Sequence, residues 1–527
     1  MGPPALLLAL AILATLSWAG DALDMKLTAQ FARFDAAKAT LAERTGRQGQ
    51  EIDRDTWEQL LKPPPAEQLA PAELHELHDR HLAEAAAARE SARKKSAIDL
   101  DRFRTNRNEV MRFCQKFPKG GLLHVHPTGV ISPESAKGIL SRTNPRIDSG
   151  LAYFARQSGA KGVEFLDHLK PTPFNDLTED QKTRIARMVQ TPDAAPGSPV
   201  RLSMNDFDGY FPFIKTVLQK SADDFDPVYQ SYVDFLKRAR SQGVTYVELT
   251  KGFVVAPDSL QRVKVLSERL LKDTGVIVRW NLAFNRLDGP GTFRSQAQEL
   301  SKLVASSPGA TMVGIDLIGN EDGTPAFDRA QTLYAPLLDG EKNHGSRLGR
   351  TMHAGEAGDA RDPRDALLLG AQRLGHGVRL AGDPVALEYA RRKGVGIEAN
   401  LTSNLVLGSV KDLHQHPFLQ FLRLGLKVSL STDDEGIFGT DIARECMAAI
   451  QNTDICFEEL KELSRNSLRT AFLPASEKAD ALAAREKSFA GFETGWQTAH
   501  MDGTTTPGAD LPAGRTPAAV TDAKGGY

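Results

Sequence analysis

Five short apolar runs of this sequence end in residues able to do chemistry. GLLHVH ends in His124-Val125-His126, and GRTMH ends in His353 with Ala354-Gly355-Glu356 following. QRLGH ends in His376, LKVSLS runs into Thr432-Asp433-Asp434, and MVGIDLI runs into Gly319-Asn320-Glu321. Alternate residues of a strand face the same side, so His124 and His126 can share one cation. Adding His353 and Asp433 gives three nitrogens and one oxygen with a position left for water, the donor set of a catalytic zinc. Each histidine alone reads as a hydrogen-bonded core residue; several converging strand ends do not. His414-Gln415-His416 repeats the spacing but reads as a loop or helix start without metal. Barrel hydrolases with two metals carry a bridging group, often a modified lysine, at the end of strand four. Ile318-Gly319 stands there, so one metal per chain is expected, with His376 free as a base or electrostatic helper.

Eight β-prone runs alternate with helix-length segments: 121–126, 244–250, 276–284, 312–318, 349–353, 372–376, 395–400 and 426–431. Such alternation predicts an α/β protein with a parallel sheet, and eight repeats predict a closed (β/α)8 TIM barrel over residues 116–498. Its chemistry then belongs at the C-terminal ends of the strands. The first interval, 127–243, exceeds one crossover and is expected to be a long helical insertion over the barrel mouth. Residues 23–115 read as an N-terminal helical region, broken at Lys62-Pro63-Pro64-Pro65. It is expected to pack on the barrel or to form a homodimer with a second copy. His75, His78 and His81 within it read as a solvated helix face.

With 527 residues, 41% hydrophobic and 25% charged, the chain can bury a large core. Its 65 basic against 67 acidic residues offer nucleic acid no global attraction. Three cysteines without a C-x-x-C pair exclude a disulfide framework and a thiolate zinc finger. Ala5 to Leu16 is an unbroken run of apolar and small residues, followed by Ser17-Trp18-Ala19. It reads as a signal peptide over 1–22, giving a secreted or periplasmic protein with no stable membrane insertion after cleavage; a buried or anchoring helix is the alternative. Residues 499–527 are rich in Gly, Pro, Thr and Ala and read as a disordered tail.

The ordered segments PKGGLLHVHPTG, VGIDLIGNED, MHAGE, LGHGVRL and VSLSTDDEGIFG resemble the adenosine deaminase family of metal-dependent barrel hydrolases. The layout is most similar to its secreted, growth-factor-related branch. The resemblance implies a purine nucleoside substrate, adenosine or 2'-deoxyadenosine, deaminated to the inosine product and ammonia. It makes His124, His126, His353 and Asp433 the zinc ligands and Glu356 the proton donor to ring nitrogen N1. His376 would orient or deprotonate the attacking water, and Gly319 and Asp434 would hold the purine. Two departures stand out. The family usually places an acid shortly after the second histidine to bind ribose, where this chain has Pro127-Thr128-Gly129. The secreted branch carries a disulfide in the insertion, and no cysteine lies between Pro127 and Gly243. Adenine, another aminopurine, or an exported binding or signalling protein on the same fold are the alternatives. The H-x-E and P-C-x-x-C signature of cytidine-type zinc deaminases is absent.

Overall fold

Strands buried on both faces read as near-continuous apolar runs, and those runs become the barrel. The computed structural model describes residues 22–47, 51–157, 162–192, 201–219, 225–252, 254–306, 311–322 and 324–501. The apolar N-terminal run and residues 502–527 lie outside the described residues. Eight parallel strands pair in chain order: β1 Gly121–Leu122, β2 Tyr246–Lys251, β3 Ile277–Asn285, β4 Met312–Ile318, β5 Gly349–Ala354, β6 Arg373–His376, β7 Gly396–Ala399 and β8 Lys427–Leu430. In β4 only the last residue is even partly exposed. Helices cover the outside, making the α/β barrel.

The first strand is shorter than the run 121–126 suggested, because only Gly121 and Leu122 join the ladder to β2. Beyond them a side chain takes over. Ser431 Oγ accepts from the N–H groups of Leu123 and His124 at 3.1 and 3.2 Å. One parallel bridge, Val125 to Asp433, then closes the ring, with the Asp433 N–H donating to the His124 carbonyl at 3.1 Å. The seam of the barrel therefore runs between the segments that carry His124, His126 and Asp433.

Between β1 and β2 the chain folds as helices that include Pro133–Thr143, Glu179–Ala186 and Pro227–Ser241. A side-chain oxygen of Ser132 caps the first, and a Thr178–Gln181 capping box opens the second. The insertion builds its own apolar cluster from Ile139, Leu166, Phe174 and Phe213. That cluster includes Val406, Ile437 and Phe438, which follow the C-terminal ends of β7 and β8. Phe207 stacks on Phe438 with ring centroids 5.3 Å apart, so the excursion sits on the site end of the barrel.

The N-terminal helices, Ala22–Arg47, Arg54–Leu61, Pro71–Lys95 and Arg107–Lys116, pack on the barrel of the same chain. Trp57 is fully buried, stacks on Phe327 at 5.2 Å and donates its indole N–H to Asp365 at 3.1 Å. His81 departs from the expected solvated face: it is buried and lies 3.3 Å from Glu388. Burial alone would raise the Glu388 pKa, but bonds from His81, Arg391 and Arg392 pull it down to about 2. A triad of histidines three apart has one member turned inward, and helix periodicity over so short a stretch does not say which. Among the described residues no helix is long and apolar enough to cross a membrane.

Removing the Trp57 indole leaves a cavity and deprives the Asp365 carboxylate of a donor. Trp57→Ala should cost about 3–5 kcal/mol, the usual range for a buried large aromatic, while Trp57→Phe should recover most of the packing. Denaturant melts of the three proteins check the order.

Candidate active site

The fold brings His124, His126, His353, His376, Glu356 and Asp433 to one point at the barrel mouth. Within each of the groups His124/His126/Asp433, His124/His353/His376 and Glu356/His376/Asp433, the candidate ligand atoms lie within 4.8 Å of one another. His126 Nε2 faces His353 Nε2 at 3.2 Å. Asp433 Oδ1 is 3.3 Å from His126 Nε2 and 3.5 Å from His124 Nε2. All except His126 are buried, and His126 is nearly so.

What turns these nitrogens inward sits behind them. His124 Nδ1 pairs with Glu398 at 2.8 Å, and His353 Nδ1 pairs with Asp316 at 3.0 Å. A carboxylate can only accept, so each pair places the ring proton on Nδ1 and leaves the Nε2 lone pair facing the centre. His124 Nε2 is buried there with no hydrogen-bond partner. Burial pushes the His353 pKa well down and that of His126 to about 4, so both rings stay neutral. Burial opposes a proton on His124 as well, but the neighbouring Asp433 and Glu398 carboxylates outweigh it and raise the pKa, so the uncomplexed ring favours its charged form. A divalent cation would compete with that proton for Nε2. Three converging imidazole nitrogens and one carboxylate fit a metal ion of the zinc type, and these four residues would hold it.

His376 differs from the other three. A chain of bonds reaches its far side from outside the cluster. The Phe418 N–H donates to His416 Nδ1 at 3.1 Å, which leaves His416 Nε2 as the donor to Asn404 Oδ1 at 3.0 Å. The Asn404 amide then turns its NH2 to His376 Nδ1 at 2.8 Å. His376 Nδ1 is thereby an acceptor, and its proton sits on Nε2, aimed at Asp433 Oδ2 3.9 Å away. In this state His376 is a donor toward the centre, which favours the electrostatic role over the basic one. His416 binds no metal, as its sequence context implied, yet it belongs to this relay.

Two more carboxyls complete the mouth. Burial, with the charges of Asp433 and Glu321 added, raises the Glu356 pKa well above the carboxylate range. Ser403 Oγ lies 3.5 Å from it. Asp434 is raised likewise, by burial first and Asp433 second, and its Oδ1 is buried without a partner. Gly129 passes so close to Asp434 that a Cβ there would overlap the carboxyl, and a Cβ on Gly375 would come within 2.8 Å of the His124 ring. Glu321 straps the loop after β5 by accepting from the N–H groups of Gly355, Glu356 and Ala357 at 2.9, 3.2 and 3.1 Å. Gly319 adopts φ +103° at the end of β4, where its backbone reaches the mouth.

Sequence reasoning singled out every residue of the central cluster and missed its supports: Asp316, Glu398, Asn404, Ser403 and the strapping role of Glu321. Asp316 and Glu398 were detectable, since each is a lone carboxylate inside an otherwise apolar strand. The Asn404–His416 relay had no local signal.

If the relay fixes His376, then Asn404→Ala frees the ring to adopt the other tautomer. Turnover should fall about 10- to 100-fold, the usual range for removing a partner that orients an active-site group, with metal content unchanged. Metal analysis alongside steady-state kinetics separates this from loss of the ion.

The adenosine deaminase family model matches residues 198–485, more than half of the chain. The match begins within the insertion, at residue 198, so His124 and His126 come from outside it. Adenosine deaminase of Enterococcus faecalis is 29% identical over 327 residues, covering 59% of this chain and 90% of that protein. The Photorhabdus laumondii enzyme of the same name is 30% identical, covering 54% and 90%. Among solved structures, adenine deaminase from Arthrobacter aurescens aligns with a TM-score of 0.50 at 22% identity, over 72% of this chain and 99% of that one. An amidohydrolase from Burkholderia ambifaria with bound Zn aligns at 0.51 and 16% identity, over 74% and 94%. These two share the fold. The extent of the family match, on a barrel whose mouth gathers three histidines and an aspartate, places this chain in the adenosine deaminase family as one of its hydrolases.

Proposed function

We propose that this chain hydrolyses the exocyclic amino group of adenosine and 2'-deoxyadenosine, giving the inosine product and ammonia, with one zinc per chain. His124, His126, His353 and Asp433 would hold the ion, which when bound lowers the pKa of a water molecule to about 7. The observation that carries the reading is the pairing of this donor set with a buried Glu356, whose proton is favoured by burial and by the charges of Asp433 and Glu321. Attack at C6 of the aromatic ring is slow until N1 accepts a proton, and a protonated carboxyl held beside the centre supplies it. His376 presents Nε2–H to the incoming oxygen and orients it. Asp434, with one buried oxygen unpaired, and the Gly319 backbone would meet the other ring nitrogens of the purine.

Pro127-Thr128-Gly129 supplies no carboxylate for a ribose hydroxyl, and this favours a second substrate reading: adenine or another aminopurine. Following ultraviolet absorbance with adenosine, deoxyadenosine and adenine in turn decides between them. The helical N-terminal region and the long insertion also support membership of the secreted, growth-factor-related branch, with export after cleavage near Ala19 to Ala22 and homodimer formation through residues 23–115. Mass spectrometry of exported protein should show the shortened N-terminus; an intact Met1 there would sink the cleavage.

Glu356→Gln keeps the shape and holds no acidic proton. Kcat should drop at least ~10²-fold while zinc stays at one equivalent and substrate still binds. The sign of the pH dependence follows from the raised pKa of Glu356: the donor form persists above the ordinary carboxylate range and is lost as pH rises through the raised value. The wild-type kcat should therefore decline on the alkaline side. Retention of more than about a third of kcat by the metal-replete variant would dismantle this mechanism.

A further inference from the structure

The metal ligands are split across the barrel seam. His124 and His126 follow β1, Asp433 follows β8, and the ladder between the two sides is a single bridge. Below the seam, the helix Arg107–Lys116 leads into β1, and the helix Ile442–Asn452 follows the Asp433 loop. Each of these helices carries one buried cysteine toward the other. Cys114 Sγ and Cys446 Sγ lie 3.0 Å apart, from positions 332 residues apart in the chain. We propose that Cys114 and Cys446 form a covalent cross-link that staples the seam and so holds the two halves of the metal-ligand set in register.

The third cysteine does not compete. Cys456 stands at the N-terminus of the helix Phe457–Arg469, its N–H on Glu459 and its thiol against Ser96. The pairing is therefore specified by the fold. The setting also favours the reaction. Lys119 is buried beside the two sulfurs, its Nζ donating to the carbonyls of Cys114, Phe117 and Gln242. An ammonium there stabilises a thiolate, the form that attacks a disulfide. Burial opposes ionisation of Cys446, but the bond from Cys114 and the Lys119 charge overcome it and lower the pKa. A cavity of about 30 Å³ bordering Cys446 leaves room for the sulfur to move.

The chemistry is thiol–disulfide exchange with a protein or small-molecule disulfide as oxidant. The Cys446 thiolate attacks one sulfur of the oxidant, forming a mixed disulfide and releasing the first thiolate. The Cys114 thiolate then attacks Cys446 Sγ, and the second thiolate leaves. Two thiols lose two protons and two electrons, and the oxidant becomes a dithiol. Closing so long a loop removes much of the freedom of the unfolded chain, which is where such a bond stabilises.

Full-length protein, made in an oxidising compartment and alkylated after denaturation without reductant, should take up label on Cys456 alone. Peptide mapping should recover the Cys114–Cys446 fragment pair. Protein made in a reducing cytosol should reach the same state on treatment with glutathione disulfide. Reduction should lower Tm by at least about 5 °C. The reduced protein and Cys446→Ala should both lose zinc to a chelator several-fold faster than the oxidised protein. Three labelled cysteines after glutathione disulfide treatment, or a cross-link that includes Cys456, would overturn the pairing. A cross-linked protein whose Tm and zinc loss do not respond to reductant would overturn the staple. Neither result bears on the deaminase reading, which the substrate assay tests separately.

Discussion

Four imidazoles and a carboxylate crowded into one buried pocket need every proton fixed, and the barrel interior supplies the groups that fix them. His126 Nε2 and His353 Nε2 face each other at 3.2 Å, with Asp433 Oδ1 and the unpartnered His124 Nε2 beside them. The arrangement is stable only because buried carboxylates grip the far nitrogens of two rings. Those carboxylates need support of their own. Arg373, itself buried, joins Glu398 and, at 2.6 Å, Glu248, while Thr351 donates to Glu398 at 3.0 Å. Burial alone would raise the Glu398 pKa; Arg373 and His124 outweigh it and hold the group ionised. A column of alternating charge therefore runs up the barrel interior: Glu248, Arg373, Glu398, His124. Desolvating such groups costs several kcal/mol each, so every member must be paired before the mouth can be built.

The backbone contributes strain at the same place. His376 and Asp433 adopt φ of +63° and +58°, a region that residues other than glycine rarely visit. Each stands where its chain leaves a strand and must turn a side chain back toward the centre. Gly375, whose missing Cβ admits the His124 ring at 2.8 Å, allows the neighbouring strands to approach closely enough for the imidazoles to meet. Around them, the three amides bound by Glu321 and the Phe207–Phe438 stack of the insertion keep the strained loops from relaxing. Strain at an active site persists only when its surroundings over-determine it, as they do here.

The barrel was legible because buried parallel strands read as apolar runs, and the central cluster because its residues end those runs. What escaped was mostly interior chemistry. Glu248, Asp316 and Glu398 each sit mid-strand among Val, Ile and Leu, where a hydrophobic-run reading passes over a single charge. Their partners, Arg373, His124 and His353, come from other strands, and no local pattern links them. The early end of β1 also had no sequence signal, since it depends on the Ser431 hydroxyl across the seam. His81 and the Asn404–His416 relay belong to the same class. Each is a long-range pairing that decides which way a ring faces.

Those pairings sort the protons of the site into two halves. On one side His124, His126 and His353 turn their Nε2 atoms to the centre. Carboxylates claim the protons of His124 and His353, and burial keeps His126 neutral. On the other side Glu356, Asp434 and His376 turn protons inward. Burial and neighbouring negative charge favour the protonated form of the two carboxyls, while the Asn404 amide donates to His376 Nδ1. Nitrogens and a carboxylate oxygen gathered at one point suit a cation, and donors beside them suit a substrate that must be bound and protonated. The residue types alone, four histidines and three carboxylates, would serve many reactions. The sorting of protons by groups behind the site is what suits this cluster to the hydrolase chemistry of its family.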